Sequence, residues 1–149
     1  MRFSRQFHYA VCGLFDLAYN GLGQPVQVRV MSDRQQIPSR YLEQIFQRLR
    51  RAGLVTGKRG PGGGYRLARA PIDISLRDVL VAVEGPLGES LTAGDPDGSG
   101  AAGRPEFLWD DLAGRFSDVL DSISLADLCQ RAAKEGVPRL SSPAQDYQI

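Results

Sequence analysis

Apolar residues along this chain recur with two periods, and the switch between them marks out its elements. Ser4 has the character of an N-cap, and the helix it opens runs to about Asn20 with an apolar stripe of Phe7, Val11, Leu14, Phe15, Ala18 and Leu22. Gly21-Leu22-Gly23-Gln24-Pro25 ends it. Val26, Val28 and Val30 alternate as in a strand, whereas Val28, Met31 and Gln35 fit a short helix. The tight connection Gln36-Ile37-Pro38-Ser39 favours a helix over residues 28–35, followed by a turn and a third helix that begins at Pro38 or Ser39. In that third helix Tyr41, Leu42, Ile45, Phe46 and Leu49 make one apolar face, and Ser39, Arg40, Gln44, Gln47, Arg48 and Arg51 take much of the remainder. Ala52-Gly53 closes it. Leu54-Val55-Thr56 and Tyr65-Arg66-Leu67 then suit two short strands, separated by the tip Lys58-Arg59-Gly60-Pro61-Gly62-Gly63-Gly64.

Past Pro71, Ser75 with Asp78 three residues on approximates a capping box for a helix to about Glu84, with Leu76, Val79, Leu80 and Val83 apolar. Residues 85–104 are dominated by Gly, Ala, Ser, Asp and Pro and predict a long loop without firm order. Pro105 suits the first turn of a helix to about Ser122, roughly 27 Å long. Its stripe of Leu108, Leu112, Phe116, Val119, Leu120 and Ile123, flanked by Trp109, exceeds what a small domain can bury, so a partner helix in a two-fold dimer is expected. Ser124 caps a last short helix from Leu125 to about Lys134, and the tail from Gly136 is expected to lack order. The predicted fold is mainly α with a small β-wing: a winged helix-turn-helix over residues 1–84, a loop over 85–104, a dimerisation helix and short C-terminal helix over 105–135, and a tail over 136–149.

Charge sharpens this picture. The net charge is +1, yet residues 1–69 hold twelve Lys and Arg against three acids (+9), and residues 70–149 hold six against fourteen (−8). A basic half beside an acidic half points to a nucleic-acid face built onto a separate module. A polar helix followed by a basic hairpin fits a helix in the major groove and a wing at phosphate or minor groove. An enzyme is disfavoured: there is one histidine, no convincing nucleophile–base spacing, and Gly60 to Gly64 lacks the Gly-Lys-Ser/Thr ending of a phosphate-binding loop. No run approaches the roughly 18 apolar residues of a membrane span and the N-terminus is not a signal peptide, so a cytoplasmic location is expected.

The segment PSRYLEQIFQRLRRAGLVTGKRGPGGGYRLAR resembles the hallmark of the Rrf-two family of bacterial transcription regulators, the IscR, NsrR and CymR group. The opening MRFSRQFHYA, the segment from Ile74-Ser75-Leu76 to Val83-Glu84-Gly85-Pro86, and Trp109-Asp110-Asp111-Leu112 extend the likeness over about residues 1–130. The resemblance implies a homodimeric winged-helix repressor or activator on a double-stranded DNA operator, an imperfect palindrome. The base-reading roles it implies fall on Ser39, Arg40, Tyr41, Glu43 and Gln44, and the minor-groove role on Arg59 with Gly60. Glu43 would accept from a cytosine amino group, Gln44 would pair with adenine, and Arg40 would suit guanine. Lys58 and Arg66 are better placed for phosphates. Pro38 and Arg40 depart from the small polar residues usual at those positions, so the operator need not be shared.

Cluster-binding members of this family carry three cysteines before the dimerisation helix, whereas this chain has none from 85 to 128. Thiolates anchor such clusters, so no family-type iron–sulfur cluster and no other cofactor is expected. His8, at a position that supplies an acidic cluster ligand in NsrR-like members, stands one turn from Cys12, and Asp95 or Asp97 would add oxygens; two residues are too few for a metal site. Cys12 and Cys129 are candidates for a redox pair, although a small apolar filler is the preferred role for both. The expected signal is therefore thiol redox, a small molecule or a protein partner. The rival reading is a protein-interaction module whose acidic C-terminal half docks a partner, as CymR-like members dock a metabolic enzyme.

Overall fold

The first helix is the post against which the rest of the chain packs. The structure, a computed structural model, describes residues 3–85 and 102–140. Helix α1 (Arg5–Asn20) is capped by Ser4, whose Oγ accepts from Phe7 N and also donates to Glu84 Oε1. It touches α2 (Val28–Gln35), α3 (Ser39–Arg51), α4 (Leu76–Glu84) and α6 (Leu125–Lys134). Between α3 and α4 lies an antiparallel hairpin, β1 (Val55–Lys58) and β2 (Gly64–Leu67), and α5 (Phe107–Asp121) precedes α6. Among the described residues no helix is long and apolar enough to cross a membrane.

The buried side of α1 is Phe7, Ala10, Gly13, Leu14 and Leu17. This corrects the predicted stripe: Val11, Phe15 and Ala18 are only half-buried, and Leu22 lies beyond the helix, exposed. Gly13 marks a close approach, since a Cβ there would lie 2.6 Å from a ring carbon of Phe46. That ring and Leu42, Ile45 and Leu49 form the buried face of α3. Val26 resolves the ambiguity of its segment by serving as strand before the helix starts at Val28: it exchanges two 2.8 Å hydrogen bonds with Tyr65 of β2.

Three helices open on serine caps. In α4 and α6 the caps are complete boxes, Ser75 with Asp78 and Ser124 with Asp127. The two N-termini are joined, with Leu76 N donating to Ile123 O and Leu125 N to Ile74 O, both at 2.9 Å. Helix α5 starts two residues after Pro105 and has 15 residues. Leu120, counted in the predicted dimer stripe, is 5% exposed and lies in the chain's own core, with Phe116 packed against that core. A side chain already enclosed by α5's own neighbours has no surface to offer a second chain. The expected loop at 85–104 falls, for residues 86–101, outside the described residues.

The tail departs from expectation up to Leu140. Gly136 takes φ +76°, turning the chain back so that Val137 O accepts from Tyr19 Oη at 2.7 Å and Leu140 N donates to Asn20 Oδ1 at 2.8 Å. Buried polar groups at the end of α1 thus give the segment partners that its composition does not advertise. Beneath it Asp16, fully buried, accepts from Arg34 Nη2 at 2.7 Å, from Asn20 Nδ2 at 3.0 Å and from Gln35 Nε2 at 3.1 Å.

Removing one member of a buried ion pair strands the other. Asp16→Ala is therefore expected to lower the unfolding free energy by about 3–5 kcal/mol. Loss of one cap in Ser75→Ala should cost about 1 kcal/mol, and urea denaturation of both variants checks the contrast.

Candidate nucleic-acid interface

Amphipathicity of α3 determines what it presents. With Leu42, Ile45, Phe46 and Leu49 buried, Ser39, Arg40, Glu43, Gln44, Gln47 and Arg48 are exposed. Tyr41 is at the boundary: its ring lies 6.2 Å from that of Tyr9, while the Arg40 guanidinium sits 4.9 Å above it and donates to its hydroxyl at 3.2 Å. These two residues form a cationic-aromatic pair at the start of the helix.

The wing differs slightly from its predicted limits. Lys58 and Gly64 pair as the last rung of the ladder, so the tip is Arg59 to Gly63, and the strand expected at Leu54–Thr56 runs from Val55 to Lys58. Leu54 still contributes, its carbonyl accepting from Ala68 N at 3.0 Å. Lys58, Arg59 and Arg66 are all exposed. Gly63 N donates to Gly60 O at 2.9 Å across the turn, and a Cβ on Gly63 would meet Lys58 O at 2.4 Å. Gly64 has φ +132°, and a Cβ there would strike the Val26 carbonyl at 2.4 Å. The glycine run therefore lets the chain entering α2 bridge to the hairpin at Val26 and Tyr65, which ties wing and helix-turn-helix together.

Among the open grooves along α3, two border its exposed polar residues. One, of about 430 Å³, separates it from the wing and is lined by Gln27, Val28, Arg29, Glu43, Gln47, Gly64 and Tyr65. The other, of about 440 Å³, lies between α1 and α3 and is lined by Arg5, Gln6, Tyr9, Tyr41, Gln44, Ile45 and Arg48. Arg5, Gln6, Tyr9 and Arg48 were not among the predicted contact residues. Their signal was available, because Arg5 and Gln6 stand one turn before Tyr9, but it needed the α1–α3 packing to bring them beside Tyr41. Arg48 Nη1 is held by Gln6 Oε1 at 2.6 Å and by Val83 O at 3.2 Å.

On α5, Phe107, Leu108, Trp109, Leu112 and Val119 are exposed, reaching 69% for Phe107, while Ile123 is half-buried. Phe107 was missed because it precedes the first turn of the predicted stripe. An apolar strip of this kind is unusual on a free surface.

A basic, polar helix beside a glycine-tipped hairpin defines a winged helix-turn-helix, a DNA-binding class. The sequence profile of the Rrf2 family, described as an iron-dependent transcriptional regulator, matches residues 3–131, and the chain belongs to this family. IscR of Photobacterium profundum is 40% identical over 129 residues, covering 86% of this chain and 75% of that protein. Among solved structures, IscR of T. potens matches with a TM-score of 0.70 at 35% identity, covering 99% of this chain and 97% of that one. CymR of B. subtilis, titled the global cysteine regulator, also gives 0.70, at 30% identity and coverage of 88% and 98%. These relatives are transcription regulators and not enzymes, and the chain is a transcription regulator that binds DNA.

The donor set does not fit an iron–sulfur cluster anchored by three thiolates, since the whole chain holds two cysteines. Cys12 and Cys129 are both half-buried, and burial pushes both thiols above their ordinary range, an effect that Arg139 partly offsets at Cys129. Among the described residues no three of His, Cys, Asp and Glu group as metal ligands, and His8 is exposed beside Cys12 on α1 without a third; Asp95 and Asp97 lie outside the described residues.

Two outcomes follow. Gly64→Ala, which meets backbone, should cost about 3 kcal/mol, whereas Gly62→Ala, left-handed but with open space, should cost about 1 kcal/mol; denaturation midpoints decide. Alkylation of Cys12 and Cys129 by iodoacetamide should rise only above the pH at which an ordinary thiol reacts, and should approach the ordinary profile in urea.

Proposed function

We propose that two copies of this chain, paired through the exposed strip of α5, act in the cytoplasm as a repressor that binds an imperfect palindrome. The observation that carries this reading is the exposed polar face of α3 beside a wing held to α2 by the Val26–Tyr65 hydrogen bonds. Ser39, Arg40, Tyr41, Glu43 and Gln44 read base edges in the major groove, and Arg59 at the Gly60 turn enters the minor groove. Lys58 and Arg66 neutralise phosphates and set position without reading sequence. The signal is not a cysteine-ligated cluster: two half-buried thiols supply too few donors, which leaves thiol chemistry, a small anion or molecule, or a protein partner.

A second reading rests on Asp110, Asp111 and Asp118, exposed along α5 beside the apolar strip. Such a surface would dock a basic partner protein. The two readings separate by mutation: Arg59→Ala weakens operator binding about tenfold and leaves partner capture intact, whereas charge reversal at Asp110 and Asp111 does the opposite. Fluorescence anisotropy against a promoter duplex measures the first effect. Affinity unchanged in Arg59→Ala would remove the wing from the interface, and Lys58→Ala should flatten the salt dependence by about one unit of slope.

A further inference from the structure

We infer that residues 137–140 form a strap that positions α2, and through it the recognition helix, with Arg139 and Tyr19 as positioning residues for DNA binding. This rests on the reading of α3 as the helix that contacts DNA. The strap lies beyond residue 131, where the family match ends. It leaves α6 by a fixed turn in which Gly136 N donates to Ala133 O at 3.3 Å and Val137 N to Ala132 O at 2.9 Å. It then crosses the end of α1. Arg139 stacks its guanidinium 4.3 Å above the Tyr19 ring and donates through Nη1 to Tyr19 O at 2.7 Å. Tyr19 Oη in turn donates to Val137 O at 2.7 Å, so the strap and the end of α1 each hold a backbone carbonyl of the other.

The strap ends on the buried ion pair. Arg34, in the last turn of α2, divides its guanidinium between two elements: Nη2 binds Asp16 of α1 at 2.7 Å and Nη1 binds the Leu140 carbonyl at 2.9 Å. Its Nε is buried with no partner. Without Leu140 a second nitrogen of this group would lose its acceptor. The side chain, 8% exposed, would then have to turn toward water and draw on α2. The same end of α2 passes any such shift onward. Ile37 N donates to Ser32 O at 3.1 Å, Ser32 Oγ donates to Ile37 O, and Ser39 opens α3 two residues later. Because α6 carries the strap, the C-terminal helices and the helix-turn-helix share one hydrogen-bonded joint that a signal at either end would load.

The test uses the full chain and a duplex selected by the wild-type protein. Arg139 is exposed, so Arg139→Gln should fold, and Tyr19→Phe keeps the ring while removing one donor. The double variant is expected to lose at least about fivefold in affinity at a temperature well below its melting point. Amide hydrogen exchange should quicken at Val30 and Met31 of α2 and stay unchanged in α4. Arg139→Lys, which can still donate to a carbonyl and sit over a ring, should recover most of the affinity. Affinity held within roughly twofold, or α2 exchange unaltered, would overturn the proposal, even with a lowered melting temperature. Should the wild-type chain select no duplex, the DNA reading of α3 fails instead, and α2 exchange alone decides the strap.

Discussion

A carboxylate with no access to water sets the geometry of this domain. Burial of Asp16 is offset by three donors from two elements that converge on it. Two of those donors, Arg34 and Gln35, end α2. The turn that aims α3 therefore hangs from a fixed point on α1. Apolar packing alone would let α2 slide or rotate with little penalty, whereas an ion pair of this kind tolerates few alternatives. Gly13, beneath the Phe46 ring, applies the same discipline to α3 by removing the side chain that would hold the helices apart.

The wing is fixed by a different device. A two-stranded hairpin is marginally stable by itself, and four residues a side give this one little purchase. Val26 adds a one-residue antiparallel bridge, and Phe46 packs its ring 5.1 Å from that of Tyr65, so the hairpin is gripped from the backbone and from the core at adjacent points. Helix α3 and the base of the wing are thereby held together. In the proposed binding mode, with side chains in two grooves of one duplex, this tie would set the spacing between contacts before DNA arrives.

Local chemistry was legible in the sequence where one residue decides an outcome. Ser4, Ser75 and Ser124 announced their helices because an unmatched N–H at a helix start needs a nearby acceptor, and Gly53 ended α3 because φ +77° suits little else. The candidate interface was legible for the same reason: α3 is polar wherever it is not needed for the core. What escaped were features made by several elements at once. The α1 face was misjudged because α1 is packed by helices on more than one side, so a single stripe understates what it buries. Leu120 looked available to a second chain because α5 alone does not reveal that it packs against α4 and buries this residue. The segment after Gly136 looked unstructured because its anchors, Tyr19, Asn20 and Arg34, lie over a hundred positions earlier in the chain.

The ladder between Val26 and Tyr65 also bears on how such chains behave when crowded. It covers Tyr65 on the outer edge of β2, while β1 presents the opposite margin of the hairpin sheet. That margin runs through Thr56, Gly57 and Lys58, four residues long with Val55, and ends on a cation. Short, glycine-interrupted and charged, it is a poor template for a foreign strand. The one sheet among the described residues thus offers little that would recruit a neighbouring chain into edge-to-edge aggregates.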